Sequence, residues 1–158
     1  MPTRSAGILL YRFADAAGVE VWLAHMGGPI WARKDAGAWS IPKGLYEEDE
    51  EPLAAAMREF EEEVGTPPPP ANYEALGEFR QASGKIVTAF AGESEFAPAL
   101  IASNTFELEW PPRSGRMREF PEIDDARWFS LDTAREKVSK GQVQILNALA
   151  RSLGVEAG

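Results

Sequence analysis

The sequence predicts an α/β fold, a mixed β-sheet with helices packed on it. Three observations carry this reading. Apolar segments with strand and helix periodicity follow the order strands, helix, strands, helix. The chain has 158 residues and is 44% hydrophobic, which suffices for one sizeable core and a single domain over 1–158. Gly and Pro punctuate the segments, and there are no cysteines to staple a loop-rich scaffold.

Residues 5–13 and 20–25 read as two strands joined by a loop at 14–18. Residues 26–38 read as a long loop, broken by Gly27-Gly28-Pro29, loosened at Gly37 and carrying Trp31, Arg33 and Lys34. Residues 39–44 form a short extended piece ending in a turn. Pro52 suits the first turn of a helix, where its missing N–H costs nothing, and the helix runs to about Val64. Gly65 is its left-handed cap, and the four prolines from Pro67 to Pro70 make a stiff connector. Residues 73–81 and 86–93 alternate as a second pair of strands turning at Ser83-Gly84, and 104–110 is a further strand. Residues 111–121 read as a polar loop holding Arg113, Arg116 and Arg118. A short strand over 126–130 is followed by helical segments at 131–138 and 142–153, separated near Gly141. Trp110 and Trp128 are expected in the core.

Lys plus Arg is 16 against 25 Asp plus Glu, a net charge of −9, with a sequence pI near 4.7. That balance argues against a nucleic-acid duplex or an anionic membrane as partner, since both are bound through basic surface. No apolar run approaches the roughly 18 residues that span a bilayer. The absence of cysteine excludes a thiolate zinc site and a cysteine nucleophile. The single histidine, His25, excludes a multi-histidine metal site and reads as a structural residue. A soluble, cytoplasmic protein is expected.

The charge is concentrated. Between Glu47 and Glu63 there are nine acids and one base, Arg58, so this segment carries −8 and the remainder only −1. A solvated helix face usually interleaves bases at i+4, whereas Glu59 and Glu63 are a like-charged i,i+4 pair. At 100° per residue, Leu53, Ala56, Met57, Phe60 and Val64 form the core-facing stripe. Glu59, Glu62 and Glu63 gather away from it within roughly a 100° arc. Three carboxylates on one rigid face make a hard oxygen donor set suited to Mg²⁺.

The 23 residues from Gly44 to Thr66 run Gly44, five residues, Glu50, seven residues, then Arg58-Glu59-Phe60-Glu61-Glu62-Glu63-Val64-Gly65-Thr66. This stretch resembles the Nudix box at every charged and glycine position. Thr66 departs from it where the family prefers an aliphatic residue that packs rather than reacts. Pro42-Lys43-Gly44 after Trp39 is similar to the approach to the box in relatives that cleave dinucleoside polyphosphates. Glu122, six residues before Trp128, resembles an extra carboxylate ahead of the last strand, with Asp124, Asp125 and Glu93 competing for that place.

The resemblance implies an α/β/α sandwich with a catalytic loop–helix–loop. It implies hydrolysis of a nucleoside diphosphate linked to another moiety, with Mg²⁺ or Mn²⁺, by attack of water on phosphorus. Glu59, Glu62 and Glu63 would hold metal, with Glu62 and Glu122 the candidates to activate water. Lys43 would contact phosphate, Arg58 would orient a box glutamate, and Glu50 would be its partner or an outer ligand. Gly44 and Gly65 would be structural. Trp31 could stack on a base with Arg33 near the phosphates. The partner is a small nucleotide or polyphosphate, and many family members are homodimers. Subfamily markers that some relatives carry beyond the box are missing at 81–84. Inositol pyrophosphates are disfavoured by the acidic surface. A non-catalytic nucleotide-sensing module is the alternative function.

Overall fold

The computed structural model describes residues 3–14, 18–96 and 101–155. Part of the expected 14–18 loop, residues 15–17, lies outside them. The chain runs β1 (Arg4–Ala14), β2 (Gly18–Met26), β3 (Trp39–Ser40), β4 (Lys43–Leu45), α1 (Pro52–Val64), β5 (Glu74–Arg80) and β6 (Ile86–Glu93). It continues with β7 (Thr105–Glu109), β8 (Met117–Pro121), β9 (Ile123–Ser130), α2 (Leu131–Lys137) and α3 (Lys140–Leu153).

The sheet is mixed. Strand β1 is paired in parallel with β6 from Arg4↔Ile86 to Tyr11↔Glu93, and β5 lies antiparallel to β6. On its other edge β1 pairs with β2 only from Tyr11↔Val21 to Ala14↔Gly18. Beyond that point the two strands diverge. Strand β4 takes the edge of β1 at Ser5–Gly7, and β3 takes the edge of β2 at Ala24 and His25. Strand β9 covers the far edge of β2.

Alternation along β1 sorts its side chains to two layers. Ala6, Ile8 and Leu10 join Trp22 and Phe90 beneath the buried α1 residues Ala55, Ala56, Phe60 and Val64. Leu9 joins Val21, Leu23 and Val87 beneath Ala134, Ile145, Leu146 and Leu149 of α2 and α3. This is the expected sandwich. Helix α1 starts at Pro52 and ends at Gly65, whose φ of 94° requires the left-handed region.

Three expectations need correction. The polar loop expected over 111–121 is half strand: β8 pairs with β7 as a separate two-stranded ribbon, and β8, nearly all exposed, shows no apolar alternation of its own. Trp110 lies half-buried at the end of that ribbon, outside both core clusters. The helical break falls at Val138-Ser139, not at Gly141, which sits in the first turn of α3. Gly141 leaves room for Gln81, whose Oε1 would lie 2.1 Å from an added Cβ. Trp128 is half-buried against the α1-side cluster, with its indole N–H donated to the Phe96 carbonyl at 3.1 Å.

Candidate active site

The site forms where β1 and β2 diverge. A cleft of about 260 Å³ is lined by Ala24, Met26, Ser40, Ile41, Lys43, Glu63, Glu122 and Ile123. Helix α1 supplies Glu63, the start of β4 supplies Lys43, and the single residue between β8 and β9 is Glu122.

A relay of main-chain hydrogen bonds ties these elements together. Asn104 N–H donates to the Glu62 carbonyl at 2.8 Å, Glu122 N–H to the Asn104 carbonyl at 2.9 Å, and Gly27 N–H to the Glu122 carbonyl at 2.8 Å. The segment before β7 therefore satisfies the exposed carbonyls at the end of α1 and sets Glu122 against the helix. Ser103 reinforces it by accepting from Ile123 N–H at 3.1 Å.

Arg58 organises the outer carboxylates. Its guanidinium donates to both oxygens of Glu50 at 3.1 and 2.9 Å, to Glu59 at 2.8 Å and to Glu62 at 3.4 Å. The fork geometry on Glu50 is the bidentate arrangement that favours Arg over Lys. These hydrogen bonds, that to Glu50 foremost, raise the Arg58 pKa, and the same bond lowers that of Glu50. Glu50 is thus held in the partner role. At Gly44 an added Cβ would lie 1.9 Å from Glu59 Oε2, so any larger residue would push that carboxylate aside. The Glu59 carboxylate packs directly on that α-carbon.

Electrostatics single out Glu63. Burial, then repulsion from Glu122 and Glu59, outweighs the attraction of Lys43 and pushes its pKa up to about 8. Burial also raises Glu59 and Glu122, each further raised by Glu62. Lys43 is lowered by burial despite Glu63 nearby. No base occupies the last turn of α1, so Glu61, Glu62 and Glu63 face the negative end of the helix dipole. Among the described residues no three carboxylates already converge on one metal-sized point. Mutual repulsion and the grip of Arg58 on Glu59 and Glu62 keep them apart. The donor set nevertheless fits a hard divalent cation: all oxygen, anionic, and including a carboxylate whose pKa its surroundings raise.

The competing carboxylates fall elsewhere. Asp124 accepts from His25 Nδ1 at 2.7 Å, Asp125 pairs with Arg127 at 2.9 Å, and Glu93 lines a separate cleft with Tyr11 and Glu74. His25 is a buried structural residue, as expected, with Nε2 donating to the Lys34 carbonyl at 2.7 Å. Both ring nitrogens thus face acceptors. Burial opposes the charge, but the Lys34 carbonyl and Asp124 outweigh it and raise the His25 pKa. Sequence reasoning missed this pin between the 26–38 loop and β9, whose partners lie 99 residues apart. Trp31 is half-buried against the α2–α3 layer with Lys34 Nζ 5.2 Å from its ring centroid, and Arg33 is exposed. Neither lines the cleft. Among the described residues the Thr66 hydroxyl is buried without a partner, as expected for an aliphatic position.

The family model described as the NUDIX domain matches residues 1–149. An African swine fever virus protein named mRNA-decapping protein g5R is 43% identical over 101 residues, covering 61% of this chain and 39% of its own length. The chain thus spans about two fifths of the viral relatives it matches. The fold resembles a C. elegans Ap4A hydrolase binary complex with a TM-score of 0.65 at 20% identity, covering 96% of this chain and 98% of that one. It also resembles the NUDIX domain of Shewanella oneidensis NrtR complexed with ADP ribose, with a TM-score of 0.63 at 17% identity and coverage of 97% and 89%. With the box residues assembled on α1 and the sandwich around them, the chain belongs to the NUDIX domain family.

Proposed function

We propose that this chain is a divalent-cation-dependent pyrophosphohydrolase that cleaves the phosphoric anhydride of a nucleoside diphosphate linked to a further group. The observation that supports it most is Glu63, a half-buried carboxylate set in one cleft with Lys43 and Glu122, its pKa pushed up to about 8. A purely structural acidic helix has no need to bury one carboxylate against two others, whereas a cation site does.

Glu59, Glu62 and Glu63 would hold Mg²⁺ or Mn²⁺, which supplies charge neutralisation on the phosphates and a lowered pKa for bound water. The rest is the work of this chain. Lys43 donates to a phosphate oxygen. Glu62, held by Arg58 only at 3.4 Å, is freer to swing than Glu59 at 2.8 Å. It takes the proton of the attacking water as the oxygen bonds to phosphorus and the anhydride P–O bond breaks, the leaving phosphate departing as an anion. Glu122, which lines the cleft and is repelled by Glu62, is the second carboxylate of the site. The names of the similar proteins (an Ap4A hydrolase, an ADP ribose complex, an mRNA-decapping protein) support nucleotide anhydrides as the substrate class. The retained glutamates and Lys43 favour catalysis over nucleotide sensing.

The test is a product-identification screen with Mg²⁺ or Mn²⁺ against diadenosine tetraphosphate, nucleoside triphosphates and their oxidised forms, ADP-ribose, nucleotide sugars and a capped dinucleotide. Cation-dependent scission at an anhydride in one class supports the reading. Nucleotide binding without turnover by folded protein points to the sensor instead.

A further inference from the structure

The β7–β8 ribbon has two unlike faces. Its register sets Phe106 opposite Phe120 and Leu108 opposite Arg118, and the Trp110 N–H donates to the Arg116 carbonyl at 2.9 Å. Alternation therefore puts Phe106, Leu108, Trp110 and Phe120 on one face with Arg116 and Arg118. Glu107, Glu109 and Glu119 occupy the other face.

Two of these acids are already engaged inside the ribbon. Glu119 accepts from Thr105 Oγ1 at 2.6 Å, and Glu109 accepts the Arg113 and Gly115 N–H groups at 3.1 Å each. That grip fixes the tip, where Arg113 holds a φ of 63°. In a chain of net charge −9, neither Arg116 nor Arg118 makes an ion pair among the described residues, and both are exposed. Arg118 lies over the Phe120 ring, its Cζ 5.5 Å from the centroid, and so bends towards the root of the ribbon.

That root is the rim of the cleft. Pro121 ends β8 and Glu122 follows it directly, and the Phe106 ring packs on Gly28, where an added Cβ would lie 2.7 Å from its Cζ. Glu122 lies four positions beyond Arg118, roughly 13 Å at about 3.3 Å for each step. Trp31 offers little competition as a stacking platform, because the α2–α3 layer and Lys34 flank it.

We propose that the β7–β8 ribbon is a substrate clamp, in which Arg116 and Arg118 hold phosphates beyond the anhydride that is cleaved and the aromatic row from Phe106 to Trp110 receives the nucleobase. This rests on the pyrophosphohydrolase reading. It commits to an anionic ligand with an aromatic ring, since the face pairs cations with rings.

The experiment compares the wild type, an Arg116→Ala/Arg118→Ala double variant, Arg118→Lys and Glu107→Ala. Binding of ADP and diadenosine tetraphosphate with Mg²⁺ is measured by calorimetry, and KM and kcat by product release. Melting curves verify that each variant folds. The clamp predicts a Kd and KM at least about tenfold higher in the double variant, with kcat changed less than about threefold. Arg118→Lys falls between, keeping charge without the fork. Glu107→Ala, on the opposite face, matches the wild type. Equal affinity in all four proteins overturns the clamp and leaves the hydrolase reading standing. A wild type that binds neither nucleotide overturns the clamp, and one that also cleaves nothing in the wider screen overturns both.

Discussion

Replacing Glu63 by Gln should stabilise the metal-free protein at alkaline pH, against the usual effect of altering a buried polar residue. Glu63 is pushed up to about 8 from an ordinary 4.5 by burial and by Glu122. Between those pH values the folded protein keeps a proton that the unfolded chain has released, so stability falls as pH rises through the window. At 1.36 kcal/mol for each pKa unit, the full penalty on the ionised form is about 4–5 kcal/mol. Water reaching the open side of the cleft reduces the realised effect to about 2 kcal/mol. Gln has the same shape and no charge to bury. In EDTA, thermal unfolding of the two proteins should coincide near pH 5 and separate above pH 8. Glu63→Gln should then melt about 4–8 °C higher, at 2–4 °C per kcal/mol for a domain of about this size. Subtracting the variant removes the background titration of the other acids. Mg²⁺ should raise the wild-type melting temperature and raise that of the variant much less. A wild type no less stable than Glu63→Gln at pH 9 in EDTA would refute the assignment of a buried, repelled carboxylate.

Gly44→Ala should cut turnover by at least about tenfold with the fold intact by circular dichroism, because the new methyl displaces the Glu59 carboxylate, which lies 1.9 Å from its ideal position. Thr66→Val should add about 1 kcal/mol of stability, read as a rise of about 2–4 °C in melting temperature, by removing a buried hydroxyl without a partner. His25 has a raised pKa, so the stability from its pairing with Asp124 is fully present below the unfolded value of 6.5 and is lost as pH rises through the folded one. The melting gap between the wild type and His25→Gln should accordingly be about 3–6 °C near pH 6 and less than half that at pH 9.

Helix α1 was legible because three local signals agree: the apolar stripe, Pro52 at the start and Gly65 at the end. Its carboxylate face was legible for the same reason, since helix geometry alone fixes which side chains lie together. The parallel pairing of β1 with β6 was not, because its partners, such as Leu9 and Ala91, are far apart in sequence and nothing local encodes that choice. Ribbon β7–β8 hid its second strand because Met117-Arg118-Glu119 is exposed and carries no core face. Trp110 misled for the complementary reason: an indole suggests a core, yet this one belongs to the ribbon. Glu122 was selected by resemblance and is placed by the main-chain relay through Asn104, which side-chain identity does not reveal. His25 reads as structural from the sequence, and its anchor is Asp124, one of the carboxylates that compete for the site.

The most direct test of the central claim is the Mg²⁺ dependence of turnover for wild type and Glu62→Gln on the best substrate of the screen. The account predicts no turnover without a divalent cation, saturable activation by Mg²⁺, and a kcat lowered by about 10²–10⁴ in Glu62→Gln. Turnover in EDTA equal to that with Mg²⁺, or a Glu62→Gln protein as fast as the wild type, would contradict it.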